Sequence, residues 1–110
     1  MTATLDAMFS ALSSGPRREI ISHLTAGAIT TPELGAHFAF SKQALNRHLV
    51  ALEDAGLVRR ELIGRVHVVR LEPAPLTELT EWADTVRTAW NTNLDRLGDV
   101  LAELEEEESS

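Results

Sequence analysis

The chain has no cysteine among its 110 residues. Disulfide bonds, metal sites with thiolate ligands and cysteine nucleophiles are therefore excluded. The sequence also has no run of eighteen apolar residues, and its N-terminus has no basic stretch followed by an apolar one. These absences predict neither a transmembrane helix nor a signal peptide, so we expect a cytoplasmic protein without a membrane partner.

Patterns typical of catalysis are missing as well. The sequence has no glycine-rich phosphate loop, no nucleophile–base pair and no carboxylate dyad, so we predict that the protein is not an enzyme. A zinc site needs three or four convergent ligands. The chain has four dispersed histidines, His23, His37, His48 and His67, and its last predicted helix has none. We therefore predict no metal and no cofactor.

The net charge of −7 is unevenly distributed along the chain. Residues 1–72 hold eight Lys/Arg and seven Asp/Glu, whereas residues 73–110 hold two and ten. Between Ser41 and Leu71 there are six basic and three acidic residues. Because a phosphate backbone meets the local patch rather than the whole-chain charge, this segment is a candidate surface for nucleic acid.

At this length we predict one domain over residues 1–110, mainly α-helical with a small β-hairpin. Apolar spacing predicts a first helix in residues 1–13, and Ser14 and Thr30 are candidate caps of a second and a third. Ser41 is the candidate cap of a fourth helix over residues 41–55, with Lys, Gln, Asn and Arg in its first two turns. Strand-like segments then fill residues 57–71, with a turn at Gly64 between them.

A donor-rich helix followed by a basic hairpin is the layout of a winged helix-turn-helix, in which the helix enters the DNA major groove. Arg and Lys side chains bind guanine edges, and Asn and Gln side chains bind adenine. Arginines of the hairpin and of the second helix are suited to phosphates. The predicted DNA-contacting residues are Ser41, Lys42, Gln43, Asn46, Arg47, Arg65, Arg17 and Arg59. The alternatives are an ordinary solvated helix face and a charged edge strand.

A long amphipathic helix is predicted over residues 74–104, about 45 Å at 1.5 Å per residue. Its apolar stripe exceeds what a small domain covers, so we expect a second copy of the chain to cover it, together with the first helix. The predicted dimerisation residues are Leu5, Met8, Phe9, Trp82, Val86, Trp90, Leu94 and Leu97. An apolar effector pocket between these two helices is the alternative. Residues 105–110 are predicted to be a frayed acidic tail.

This order of elements resembles the ArsR (arsenical-resistance-repressor) family of bacterial transcription factors from about Leu5 to Leu104. The segments that carry the resemblance are Leu12–Ile21, Glu33-Leu34, Ser41–Val58, Gly64–Leu71 and the helix that follows Pro75 with Trp82 and Trp90. The final helix looks most like the cysteine-free branch, which does not sense metals.

The resemblance implies a homodimer that represses transcription from a palindromic operator, with the first and last helices at the interface and autoregulation left open. Where many relatives have Pro-Ala-Val-Ser, this chain has Gln43-Ala-Leu-Asn46, which implies a different operator. Before the second helix, Ser14-Gly-Pro replaces Asp-Pro-Thr and keeps a capping oxygen. A winged-helix protein-interaction module and a ligand- or metal-responsive sensor are the alternative functions.

Overall fold

The computed structural model describes residues 3–109. The elements in chain order are α1 (Ala3–Leu12), α2 (Gly15–Leu24), β1 (Ile29–Thr30), α3 (Thr31–Ala36), α4 (Lys42–Asp54), β2 (Val58–Ile63), β3 (Val66–Leu71) and α5 (Pro73–Ser109). The predicted fold class, a mainly helical winged helix-turn-helix with a long final helix, is confirmed. The chain divides between Thr77 and Glu78 into two compact units. Residues 1, 2 and 110, at the ends of the predicted first helix and tail, lie outside the described residues.

Three of the helices begin at the capping residues that the sequence indicates. The hydroxyl oxygen of Ser14 accepts a hydrogen bond from the backbone N–H of Arg17, and that of Thr30 accepts one from Glu33. Ser41 does the same for Ala44, with 3.1 Å between oxygen and nitrogen. Each cap satisfies a backbone donor that the first helical turn leaves without a partner, which stabilises the helix by about 1 kcal/mol.

The sheet has three antiparallel strands in the order β1-β3-β2. The register of β2 and β3 runs from Val58 opposite Leu71 to Ile63 opposite Val66. Gly64 has a φ of 66°, in the left-handed region that a tight turn uses and that glycine adopts without strain. We refer to the β2–β3 hairpin with this turn as the wing. The sequence did not predict β1, since a two-residue strand has no alternation to detect.

The core of the first unit fixes how α4 is oriented. Leu45, Leu49 and Leu52 of α4 are buried together with Val69 of β3. Burying a leucine side chain contributes about 1.5–3 kcal/mol, so this apolar stripe holds the opposite face of α4 toward solvent. At Gly35 of α3 an added Cβ would lie 3.3 Å from the Cδ2 atom of Leu45, so the Leu45 side chain would have to shift by a few tenths of an ångström to admit it.

One predicted dimerisation residue, Met8 of α1, lies in the core instead. Its side chain is completely buried, and α1 contacts α2 and α4. A side chain with no exposed surface does not meet a second chain, so Met8 belongs to the core. Phe9, the next residue, is exposed. The helical period alone placed both residues on one apolar stripe, although only tertiary packing decides which part of that stripe is covered.

The second unit consists of α5 from Glu78 onward. Helix α5 has 37 residues, a length of about 55 Å at 1.5 Å per residue. It continues through the glutamates at 105–108, where the sequence predicted a frayed tail, because glutamate is a good helix former. Its exposed large apolar residues are Trp82, Val86, Trp90, Leu94, Leu97, Val100, Leu101 and Leu104. Among residues 3–109, the structure contains no helix that could span a lipid bilayer.

Candidate nucleic-acid interface

The first two turns of α4 present a polar surface. Lys42, Gln43, Asn46 and Arg47 are all exposed, whereas Leu45 between them is buried. Successive helical residues are separated by 100°, so Gln43 and Arg47 lie opposite the leucine stripe, whereas Lys42 and Asn46 lie at its edge and line a cleft with Leu45 and Leu49. The α4 N-terminus also adds the partial positive charge of the helix dipole, which favours a phosphate near Ser41.

Three cations around this surface have no ion-pair partner among the described residues. Within residues 3–109, Lys42, Arg47 and Arg65 form neither an ion pair nor a side-chain hydrogen bond with another residue. Arg65 follows Gly64 at the exposed tip of the wing. Charged donors that are not already paired inside the protein are available to phosphate oxygens or to base edges. These three cations therefore suit contact with a nucleic acid.

Asn46 differs from its neighbours because it is already hydrogen-bonded. The Nη1 atom of Arg60 donates to the Oδ1 atom of Asn46 over 2.8 Å. The Nη2 atom of the same guanidinium donates to the Oε1 atom of Glu53 over 2.6 Å. Asn46 and Glu53 are seven residues apart, about two helical turns, so both side chains face the wing. The side chain of Arg60 is only 18% exposed, and it connects β2 to α4.

The sequence predicted Arg59 as a DNA-contacting residue and did not predict the contact between Arg60 and α4. Side chains alternate between the two faces of a strand, and Arg60 lies on the same face of β2 as the buried Val58, opposite Val69. Arg59 lies on the other face, where its guanidinium pairs with Glu61 and Glu72. The structure therefore places Arg59 on the face of the wing away from α4, and its contact with DNA stays a prediction. The alternation of side chains from Val58 is the sequence signal that could have identified Arg60.

Arg17, the remaining predicted DNA contact, lies behind α4. Its Nε atom donates to the Nδ1 atom of His48 over 3.2 Å. The His48 ring also contacts the Phe40 ring, with 5.0 Å between centroids. Burial, and to a lesser extent the charges of Arg17 and Arg47, lower the pKa of His48 below 6.5. A neutral imidazole that accepts at Nδ1 suits this position, so His48 links α2 to α4.

The other three histidines are His23 and His37, which are in contact with each other, and His67 of β3. The rings of His23 and His37 are 4.2 Å apart between centroids. Residues 3–109 contain no group of three or more His, Asp or Glu side chains placed to hold a metal ion. His67 lines a cleft of about 530 Å³ between α3, α4 and the wing. Apolar Leu45 and Leu49 form part of this cleft, and the donors Lys42, Asn46 and Arg60 line it as well.

Comparisons with known proteins agree with this architecture. Residues 12–61, from the end of α1 into β2, match the family described as "Helix-turn-helix domain". The chain is 31% identical to the HTH-type transcriptional regulator Rv2034 of Mycobacterium tuberculosis, over 86% of this chain and 92% of that protein. It is 29% identical to the arsenical resistance operon repressor of Staphylococcus aureus, over 77% of this chain and 82% of that protein.

A solved structure extends the likeness to three dimensions. The ArsR-like transcriptional regulator from Rhodococcus sp. RHA1 superposes with a TM-score of 0.77 at 28% identity, over 90% of this chain and 93% of that one. The relatives found are transcriptional regulators rather than enzymes. With the capped helix-turn-helix, the wing and the long final helix, these likenesses show that the chain belongs to the ArsR family of winged helix-turn-helix transcriptional regulators.

Proposed function

We propose that this regulator is a homodimeric, sequence-specific DNA-binding repressor that recognises a palindromic operator. We expect one such operator to lie beside its own gene. The observation that carries the proposal is the exposed polar face of α4, which the buried leucine stripe orients away from the core. A helix held in this way presents its N-terminal residues to base edges in the major groove. The relative from Staphylococcus aureus is named a repressor, which supports the direction of regulation.

Each side chain of the interface has a proposed role. Gln43 and Asn46 contact base edges, since their amide groups offer hydrogen-bonding atoms to the major groove. Lys42 and Arg47 bind guanine edges or the phosphates that flank them, and the cap residue Ser41 orients the α4 N-terminus toward a phosphate. Phosphate contacts set the position of the protein on the duplex, whereas base contacts give it specificity.

Two further arginines extend the contacts beyond α4. Arg65 at the wing tip reaches the phosphate backbone or the minor groove. Arg17, with its Nε bonded to His48, keeps terminal guanidinium nitrogens for a phosphate at the start of α2. An arginine that is held by the protein through one nitrogen loses less conformational freedom when it binds a phosphate through the others.

Dimerisation is proposed through the apolar stripes of α1 and α5. The α5 stripe includes Trp82 and Trp90, of which Trp90 is 62% exposed. Contiguous exposed apolar surface is a mark of an interaction site, and tryptophan is enriched among the residues that dominate interface energetics. The residues proposed for the interface are Leu5, Phe9, Trp82, Val86, Trp90, Leu94 and Leu97. A two-fold dimer would bind half-sites about 10–10.5 base pairs apart, or a multiple of that spacing.

Selection of bound fragments from genomic DNA tests the proposal. The full-length protein should enrich fragments that share one palindrome, and Arg47→Ala should weaken binding to that palindrome. Arg96→Ala, an arginine substitution on α5, is the matched control and should leave binding unchanged. If no sequence is enriched, the DNA-binding proposal fails, and if Arg47→Ala binds an enriched palindrome as tightly as the wild type, the placement of the interface on α4 is wrong. If the DNA-binding proposal fails, the winged-helix protein-interaction module is the function to pursue.

Reporter transcription from the selected fragment tests the direction of regulation. A promoter that overlaps the palindrome should be less active when the protein is expressed, and Arg47→Ala should restore its activity. Increased transcription would overturn the proposed repression while leaving DNA binding intact. Small molecules or zinc that release the wild-type protein from the fragment would identify a sensor.

A further inference from the structure

The contact between the wing and α4 limits which base Asn46 recognises. An asparagine that is not otherwise bonded recognises adenine with both ends of its amide, because Oδ1 accepts from N6 and Nδ2 donates to N7. In this protein Oδ1 is 2.8 Å from the Nη1 atom of Arg60. The contact between a guanidinium and an amide has only one chemically allowed orientation. Arginine has five N–H donors and no acceptor, so Asn46 turns its oxygen toward Arg60 and its Nδ2 amino group away.

Glu53 holds Arg60 in this arrangement. The 2.6 Å contact between the Arg60 Nη2 atom and the Glu53 Oε1 atom is a charge-assisted hydrogen bond, which is stronger than one between neutral groups. Glu53 and Asn46 lie on the same side of α4, so the guanidinium is held at two points. Since most of the Arg60 side chain is buried, little conformational freedom remains to be lost when DNA binds.

The electrostatics of the cleft act in the same direction. Lys42, Asn46 and Arg60 all line it, and Lys42 is a cation with three donors and no acceptor. A second donor, such as the N6 amino group of adenine, would meet the N–H hydrogens that Arg60 already directs at the same oxygen. The outward-facing Nδ2 donor has no such conflict with an acceptor. In the first two turns of α4, the wing-facing side therefore presents donors to the major groove.

We infer that Arg60 is a positioning residue that fixes Asn46 as a hydrogen-bond donor, so that Asn46 recognises guanine rather than adenine. Guanine presents two acceptors, N7 and O6, in the major groove, whereas adenine presents one acceptor and one donor. This inference rests on the proposed DNA-binding function. It assigns to the wing a role in base specificity besides backbone contact.

The test begins with the palindrome from the genomic selection, which separates a failure of DNA binding from a failure of this inference. Asn46→Ala identifies the base pair that Asn46 contacts, because discrimination should be lost at one position in each half-site. Wild-type affinity is then measured by fluorescence anisotropy for all four base pairs at that position. Guanine should be preferred over adenine by about 5- to 150-fold. A preference for adenine would overturn the inference.

Arg60→Met removes the donors and keeps an extended apolar side chain. It should reduce the preference for guanine over adenine to about threefold or less, because Oδ1 becomes available to the adenine amino group. Loss of a phosphate contact alone would weaken binding to all four sequences equally, and that result would overturn the positioning role. Arg59→Met, on the opposite face of the wing, is the matched control and should keep the preference for guanine.

Asn46→Asp gives a second test that leaves Arg60 and the core unchanged. One carboxylate oxygen still accepts from Arg60, but the outward-facing atom is now an acceptor instead of a donor. The preferred base should change to cytosine or adenine, whose major-groove edges carry amino donors, and guanine should become unfavourable. If guanine remains preferred in this variant, the outward-facing group of residue 46 does not determine the base and the inference is wrong.

Discussion

Replacing Arg65 with alanine should reduce the salt dependence of DNA binding by the amount expected for one lost phosphate contact per subunit. Arg65 lies exposed at the wing tip and has no ion pair within the described residues, so its charge is available to the DNA backbone. Neutralising one phosphate of B-DNA contributes about 0.9 to the slope of log affinity against log salt concentration. Since the proposed homodimer carries two copies of Arg65, the slope should decrease by about 1.8.

The same value gives the expected change in affinity. Between about 50 mM and 200 mM salt, wild-type affinity should fall about twelvefold more than that of Arg65→Ala, because a fourfold change in salt is raised to the power 1.8. The measurement is a series of fluorescence anisotropy titrations on the selected operator. Arg65→Lys keeps the charge and should keep the slope. Arg87→Ala should keep it as well, since Arg87 is on α5 and hydrogen-bonds to Asp84.

Two outcomes would contradict this reasoning. A wild-type slope in Arg65→Ala would show that the wing tip does not neutralise DNA charge. A decrease of about 0.9 would show that only one wing per complex contacts DNA, which contradicts a symmetric dimer with both wings bound.

Three further predictions concern stability, pH and assembly. Leu49→Ala should lower the free energy of unfolding by about 2–5 kcal/mol in urea titrations, because Leu49 is 1% exposed; Val50→Ala, at a residue 39% exposed, should lose much less, and equal losses would contradict the core assignment. The pKa of folded His48 lies below 6.5. The contribution of His48 to stability should therefore be complete above pH 6.5 and lost as pH falls through the lowered pKa. Urea midpoints between pH 7.5 and 5 should fall more for the wild type than for His48→Gln, and parallel curves would refute this prediction. Trp90→Asp should weaken dimerisation by about 30-fold or more in sedimentation equilibrium, whereas Thr88→Asp, on the opposite side of α5, should not; an unchanged dimer would exclude this stripe from the interface.

Local signals in the sequence predicted most of the fold. Ser14, Thr30 and Ser41 cap the helices as expected, because a side-chain oxygen next to an apolar stripe is a short-range signal that needs no tertiary contact. The wing was predicted over residues 57–71, and its strands lie within those bounds, since Gly64 marks the turn between them. β1 was missed because its two residues pair with Val68 and Val69, some forty positions further along the chain.

For the candidate interface, the sequence by itself determined that α4 carries a polar face beside a basic hairpin, because helical periodicity separates Asn46 and Arg47 from the leucine stripe. Only the tertiary structure decided which arginine of the adjacent pair lies against α4. The side of the sheet on which a strand residue lies depends on pairing register and packing, and these placed Arg60 next to Asn46 and Glu53. The sequence therefore determined that a polar recognition surface exists, and the packing of the wing on α4 decided which hydrogen-bonding atoms of Asn46 remain available to DNA.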